Sequence, residues 1–245
     1  MSNVTDFINK ISKIKKDETV SVVLPSSNKT AKFTPVNVKQ QKELLKFTIE
    51  GVDGALPLVR ALNEIILTNL VDTDIEISSI DKYPILLDLR RQSLGETVKI
   101  NDKHYKLTDL PAVDSIELPN NTCDISINDI IISLQIPTLE VENAFLTKGI
   151  DEVQKSKDKS VESTFTMMYL YEVIKFVTKI SFAGNEISFS SLSLDQKKTV
   201  IESLPISINQ KILDYINEVR KYENSLITFS DETIVPISTL FFSQE

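Results

Sequence analysis

The chain has 245 residues and a net charge of −8, with 41% hydrophobic and 25% charged side chains, the balance of a globular protein with one or two domains and a sizeable core. Five glycines and no tryptophan argue against a glycine-rich cofactor fold and an aromatic carbohydrate platform, and the acidic balance argues against a general nucleic-acid binder, which needs clustered Lys and Arg. The single cysteine, Cys123, excludes an internal disulfide framework and a Cys-rich zinc site.

Residues 1–18 predict an amphipathic arm. Phe7, Ile8, Ile11 and Ile14 recur at helical spacing, with Lys10, Lys13, Lys15 and Lys16 on the other side. Such an arm either lies on the body or docks on a partner. The N-terminus lacks the apolar core of a signal peptide, and no run of about 18 apolar residues occurs. The expected location is therefore a cytosol, the protein's own or a host's.

The chain is organised around residues 20–51, a hairpin that feeds a helix. Val20, Val22 and Leu24 alternate with small or polar neighbours, as do Ala31 and Phe33, the period of half-buried strands. Between them Pro25 to Lys29 is turn chemistry, because Pro fixes φ and Asn tolerates left-handed backbone. Asn37 suits the cap of a helix over 38–50, with Leu44, Leu45, Phe47 and Ile49 near its end and Gly51 as its stop.

A second helix is predicted over 57–70, where Leu58, Ala61, Leu62, Ile65, Ile66 and Leu70 follow the 3.6-residue repeat. The acidic run with Asp72, Asp74 and Glu76 imitates the start of a calcium loop. It lacks Gly at the sixth position and has Tyr83 where the closing carboxylate belongs, so it reads as a solvated loop. A third helix, capped by Ser78 or Ser79, carries Leu86, Leu87, Leu89 and Arg90 and ends at Gly95. Arg90 and Arg91 are the only adjacent arginines in the chain. They either form a solvated, ion-paired face or clamp a carboxylate at a subunit contact, where Arg is over-represented.

From Glu96 to Pro137 the period becomes two. Val98 and Ile100, Tyr105 and Leu107, Ile116 and Leu118, Ile125 and Ile127, and Ile130 to Ile136 predict a small antiparallel sheet, to which the strands at 20–24 and 30–34 could add. His104, the only histidine, sits in a predicted hairpin with no Ser or Cys motif beside it, and Cys123 reads as an ordinary small side chain. No catalytic, cofactor or metal site is predicted, and an enzyme would have to use an unrecognised carboxylate-based site.

The final third reads as mainly helical. Leu139 to Val153 is one helix, followed by a charged link over 155–160. Residues 161–182 predict the most apolar helix of the chain, with Met167, Met168, Tyr171 and their neighbours covering more than one face. It serves either as a core helix or with one face in a partner, helped by adaptable Met. Ser193 with Gln196 makes a capping box for a helix to Leu204, Pro205 stops it, and Ile208, Ile212, Tyr215, Ile216 and Val219 make the last helix. Phe241 and Phe242 either tuck into the body or serve as a peptide anchor. The expected architecture is α+β: an N-terminal hairpin and helices with a small antiparallel sheet, then a mainly helical C-terminal region. The expected divisions are 1–18, 19–137 and 138–245, the last two open to being one continuous domain.

Four stretches carry a resemblance: LPSSNKTAKFTPVNVKQQKELL at 24–45, LLDLRRQSLGE at 86–96, DIIISLQIPTLE at 129–140 and LFFS at 240–243. In this order and spacing they resemble the baseplate hub protein family of T-even-type tailed phages. Thr34 stands where relatives favour a basic residue. The return after Tyr222 lacks the Cys pair that some relatives carry, so no metal role is carried over. The resemblance implies a late, non-enzymatic protein that binds other hub and tail proteins while the central hub of a contractile-tail baseplate is built. It would be either a hub-assembly chaperone in the host cytoplasm or a minor hub subunit in the virion tail, with no nucleic acid, membrane or small-molecule substrate as partner. The residues proposed to meet a partner are Arg90, Arg91, Met167, Met168, Tyr171, Phe241 and Phe242. Outside the resemblance, a non-phage cytosolic adaptor is the alternative.

Overall fold

The computed structural model describes residues 18–46, 55–155, 160–238 and 241–242. The expected arm lies outside the described residues except for Glu18, as do Phe47 to Gly51 at the end of the first helix and residues 156–159 of the charged link. The described residues gather into two compact units and are α+β in character. The first unit takes in those of Met1–Ile77, Asp81–Ile116 and Ser225–Glu245, the second those of Ser78–Ile80 and Glu117–Asn224.

In the first unit, β1 (Val20–Val23) and β2 (Thr30–Phe33) pair antiparallel, Val20 opposite Phe33 and Val23 opposite Thr30. Asn28 takes the left-handed conformation (φ 59°) expected of the turn, whose Leu24 and Lys29 close it by a 2.8 Å backbone bond. Val22, Leu24, Ala31 and Phe33 are buried on one side of this ribbon. Helix α1 (Val38–Lys46) starts with a reciprocal cap: Asn37 Oδ1 accepts from the Gln40 N–H and Gln40 Oε1 from the Asn37 N–H, both at 3.0 Å. Helix α2 (Ala55–Asn69) buries Leu62, Ile65 and Ile66. Its exit runs beside β2, where the Val71 N–H donates to Lys32 O and Asp72 accepts from the Lys32 N–H, so the acidic run is tied to the sheet edge at Asp72.

Helix α3 (Lys82–Leu94) differs from the expected start. Its cap position is Asp81, not Ser78 or Ser79, and the Asp81 carboxylate makes no cap bond, because Ser26 occupies it. Gly95 ends the helix as expected, at φ 88°. Strands β3 (Thr97–Ile100) and β4 (Lys103–Lys106) form a second ribbon over an Asn101-Asp102 turn with both φ positive. His104 is exposed on β4, opposite Lys99. The expected strand at Ile116 and Leu118 is absent. Val113–Ser115 is a short 3-10 turn with prolines at 111 and 119 on either side, and Pro has no N–H to give a ladder. The late segment Leu226 to Val235 returns to this unit. It forms only a bridge between Thr228 and Ile234, with Phe229 stacked 4.8 Å from Tyr105.

In the second unit, β5 (Thr122–Ile127), β6 (Ile130–Gln135), β7 (Val177–Phe182) and β8 (Asn185–Ser188) make one antiparallel sheet in that order. The β1–β2 and β3–β4 ribbons remain separate sheets. Register sets Ile125, Ile132, Ile180 and Ile187 in one row, and Ile127, Ile130 and Phe182 in the next row of the same face. The other face carries Asp124, Ser126, Ile131, Ser133, Lys179, Ser181, Glu186 and Ser188. Helices α4 (Leu139–Lys155), α5 (Val161–Ile174), α6 (Leu194–Glu202) and α7 (Ile206–Leu226) complete the unit, α7 passing its last two residues to the first. The Ser193–Gln196 capping box forms as expected.

The expected helix over 161–182 stops at Ile174. Residues 177–182, V-T-K-I-S-F, alternate and contain three β-branched residues, and they pair with β6 across 43 or more positions of sequence. Ala183 and Gly184, both with positive φ, then turn the chain into β8.

Candidate functional site

The residues singled out from sequence fall in separate places, and the packing of each decides what it can touch.

Arg90 and Arg91 follow one another on α3 and point apart, as helix geometry requires of neighbours about 100° apart around the axis. Arg90 is buried. Its Nη1 donates to Gly95 O at 2.9 Å and its Nη2 to Thr97 O at 3.2 Å, so one guanidinium fork binds the helix end to the start of β3. Burial pushes the Arg90 guanidinium down from its ordinary value. Arg91 faces outward and pairs with Asp88 at 2.9 Å. Burial raises the Asp88 carboxyl, against the pull of Arg91.

On α5 the side chains sort by face. Tyr171 is buried, Met167 and Met168 are half-buried and Phe165 is exposed. A Cβ on Gly149 of α4 would lie 3.0 Å from Met168 Sδ, so the missing side chain is what lets α4 and α5 come this close. Tyr171 packs 6.0 Å from the Phe145 ring, and Lys198 of α6 lies 4.9 Å over its own ring. Lys198 Nζ also reaches both oxygens of Glu152, at 2.9 and 2.7 Å. Burial, and then the facing Glu152 carboxylate, raise the Tyr171 hydroxyl above its ordinary value. Burial also pushes the Glu152 carboxyl up, but the Lys198 ammonium bonded to it and the nearby Tyr171 hydroxyl outweigh this and hold it below the usual carboxylate range. Met168 and Tyr171 therefore knit α4, α5 and α6 together.

A second charged chain runs from α7 to α4: Arg220 to Glu172 at 3.1 Å, Glu172 to Lys175 at 2.8 Å, and Lys175 to the buried Glu142 at 3.6 Å. Every link is an ion pair, which is the arrangement that makes a buried carboxylate tolerable.

Phe241 and Phe242 are buried in the first unit, edge to face with centroids 5.0 Å apart, and Gln41 Nε2 donates to Phe242 O at 2.6 Å.

The sequence placed Phe165 of α5 in the apolar helix face, but did not single out other exposed apolar side chains on regular elements, among them Ile206 at the start of α7, Phe182 on β7 and Ile187 on β8. The strand pair could have been suspected from Ala183-Gly184 between two alternating runs, a hairpin signal. Among the described residues no three His, Cys, Asp or Glu side chains cluster as metal ligands, and no helix is long and apolar enough to cross a membrane.

No curated protein and no solved structure matches the chain. The family model described as T4 bacteriophage base plate protein matches residues 17–227, which include three of the four stretches that carried the resemblance. The chain belongs to the T4-type bacteriophage base plate protein family.

Proposed function

We propose that this base plate protein works by protein–protein binding while the central hub of the baseplate is built, as a hub-assembly chaperone or a minor hub subunit. The observation that carries the reading is the exposure of large apolar side chains on well-formed elements: Ile206 is 88% exposed and Phe165 75%. Water opposes such exposure, and a covering partner relieves it. The net charge of −8 keeps a chain with such surfaces soluble before it meets a partner.

In this reading Phe165 and the half-buried Met167 are contact residues, with Arg91 as a separate charged contact on α3. Arg90, Met168, Tyr171, Phe241 and Phe242 act by holding their elements in place. The partners are other hub and tail proteins, and the site of action is the host cytoplasm during assembly. The mechanism is cover and release: apolar surface on hub components is shielded until the next subunit displaces or joins the shield.

The test is mass spectrometry of purified virions beside infected-cell lysate. A fixed ratio to other baseplate proteins in the virion makes the chain a hub subunit. Abundance in lysate with absence from virions makes it a chaperone. A phage lacking the gene that still builds normal baseplates overturns both.

A further inference from the structure

The four-stranded sheet ends at β8, and all four residues of that strand are exposed. The row of apolar side chains on the inner face runs from buried Ile125 and Ile132 through half-buried Ile180 to Ile187, which is 50% exposed. Phe182, in the adjacent row, is 59% exposed. Among the described residues the apolar face thus continues to the last strand without being covered there.

Among the described residues the backbone at this edge is open as well. The two-residue turn at Ala183-Gly184 makes Phe182 and Asn185 the hydrogen-bonded closing pair. By alternation Ser181 opposite Glu186 is a non-hydrogen-bonded pair, so the Glu186 N–H and C=O point away from β7. Ser188 repeats the pattern. Its carbonyl is taken by the Ser191 hydroxyl at 2.7 Å, and its N–H points outward. Among the described residues no hydrogen bond reaches the main chain of Glu186 from outside the sheet. Proteins commonly guard such an edge with a short strand, a charge, Pro or a bulge; β8 is short and carries Glu186, but it has no Lys, Pro or bulge. At the opposite edge the Tyr215 hydroxyl of α7 donates to the carbonyls of Asn120 and Asn121, just before β5.

Charge says what the missing strand carries. Glu186 pairs with Lys179 on its own sheet at 3.1 Å, yet its side chain is still 61% exposed. A cation directly across from it is favoured. A second copy of this chain paired about Ile187 would set Ser188 opposite Glu186 and bring together two chains of net charge −8.

We propose that β8 is a strand-addition site for an extended segment of another tail protein, with apolar residues alternating with Lys or Arg. The apolar residues extend the Ile180–Ile187 row, and the basic residues meet Glu186 on the opposite face. This partner identity rests on the base plate role proposed above.

The test uses the full chain and two fluorescein-labelled nine-residue peptides, one alternating Val with Lys and one alternating Val with Glu. Anisotropy should show the Val–Lys peptide binding more tightly by about fivefold, the upper range for one cross-strand charge pair. Amide exchange at Glu186 and Ser188 should slow on binding. Glu186→Lys should reverse the preference. Glu186→Pro removes an outward N–H and no ladder bond, and should abolish binding of both peptides.

Equal binding by the wild-type and Glu186→Pro chains, absence of binding, or unchanged exchange at Glu186 overturns the proposal. So does sedimentation showing a dimer that Glu186→Pro dissolves, since the edge would then hold a second copy. In phage, if the gene is needed and Glu186→Pro supports plaques as wild type does, the strand site fails and the base plate role stands. If a phage without the gene assembles normal baseplates, the role fails, and with it the tail-protein identity of the partner.

Discussion

Ser26 donates twice to Asp81, 55 positions later in the chain: its N–H to Oδ1 at 2.9 Å and its hydroxyl to Oδ2 at 2.6 Å. Asp81 is fully buried, so the pair fastens the β1–β2 turn to the start of α3. Hydrogen bonds to a charged group are the strong ones, and orphaning the half-buried Ser26 N–H adds part of its desolvation cost. Asp81→Ala should therefore lower stability by about 2–4 kcal/mol, read as a shift in the urea midpoint. Ser26→Ala, which keeps the backbone donor, should cost clearly less.

The Glu152–Lys198 pair carries a pH dependence. The Glu152 carboxyl is lowered in the folded chain, so its contribution is present above the ordinary value of 4.5 and is lost as pH falls through the folded value. Thermal midpoints measured from pH 7 down to pH 3 should fall in the acid range, and Glu152→Gln should flatten part of that fall. A Glu152→Gln profile that parallels wild type throughout would remove the pair from the account.

Gly149 faces Met168 Sδ with room for no side chain of size. Gly149→Leu should overpack the α4–α5 contact and cost about 1–3 kcal/mol. Adding Met168→Ala should recover part of this loss, because it empties the space the leucine needs. Double-mutant analysis of urea midpoints gives the coupling.

Phe242 and Phe165 should behave oppositely. Phe242 is buried, and Phe242→Ala should cost about 3–5 kcal/mol of stability. Phe165→Ala changes an exposed side chain and should move stability by less than about 0.5 kcal/mol. If Phe165 is a contact residue, the same substitution lowers the yield of assembled baseplates, counted by electron microscopy of lysates.

The two arginines provide a further contrast. Arg90→Lys keeps the charge but cannot span Gly95 O and Thr97 O with one planar fork, and should cost about 1–2 kcal/mol. Arg91→Lys retains a half-exposed pairing with Asp88 and should change stability by less than about 1 kcal/mol. Thermal melts of both variants decide it.

Most elements were legible because their cause is local. The alternation of Val20 to Leu24, the left-handed Asn28, the Asn37 and Ser193 caps and the Gly95 stop each depend on a residue and its near neighbours, and each appears where the sequence predicts it. The α+β character and the family resemblance were legible on the same ground. Residues 177–182 were not, since a short apolar run beside a helix suits either period, and pairing with β6 decides between them.

Which surface each candidate residue shows is a different kind of property. Arg90 and Arg91 are chemically alike and adjacent, and only packing turns one toward backbone carbonyls and leaves the other facing water. The same holds for buried Phe242 beside the chain end and exposed Phe165 inside a helix. Periodicity says that a helix has an apolar side; contacts between segments far apart in sequence say whether this protein covers it. By itself the sequence determined most of the element types, the acidic charge balance and the family. The tertiary structure alone decided which apolar residues remain uncovered and that β8 is the sheet's last strand, because both depend on long-range pairing rather than on local chemistry.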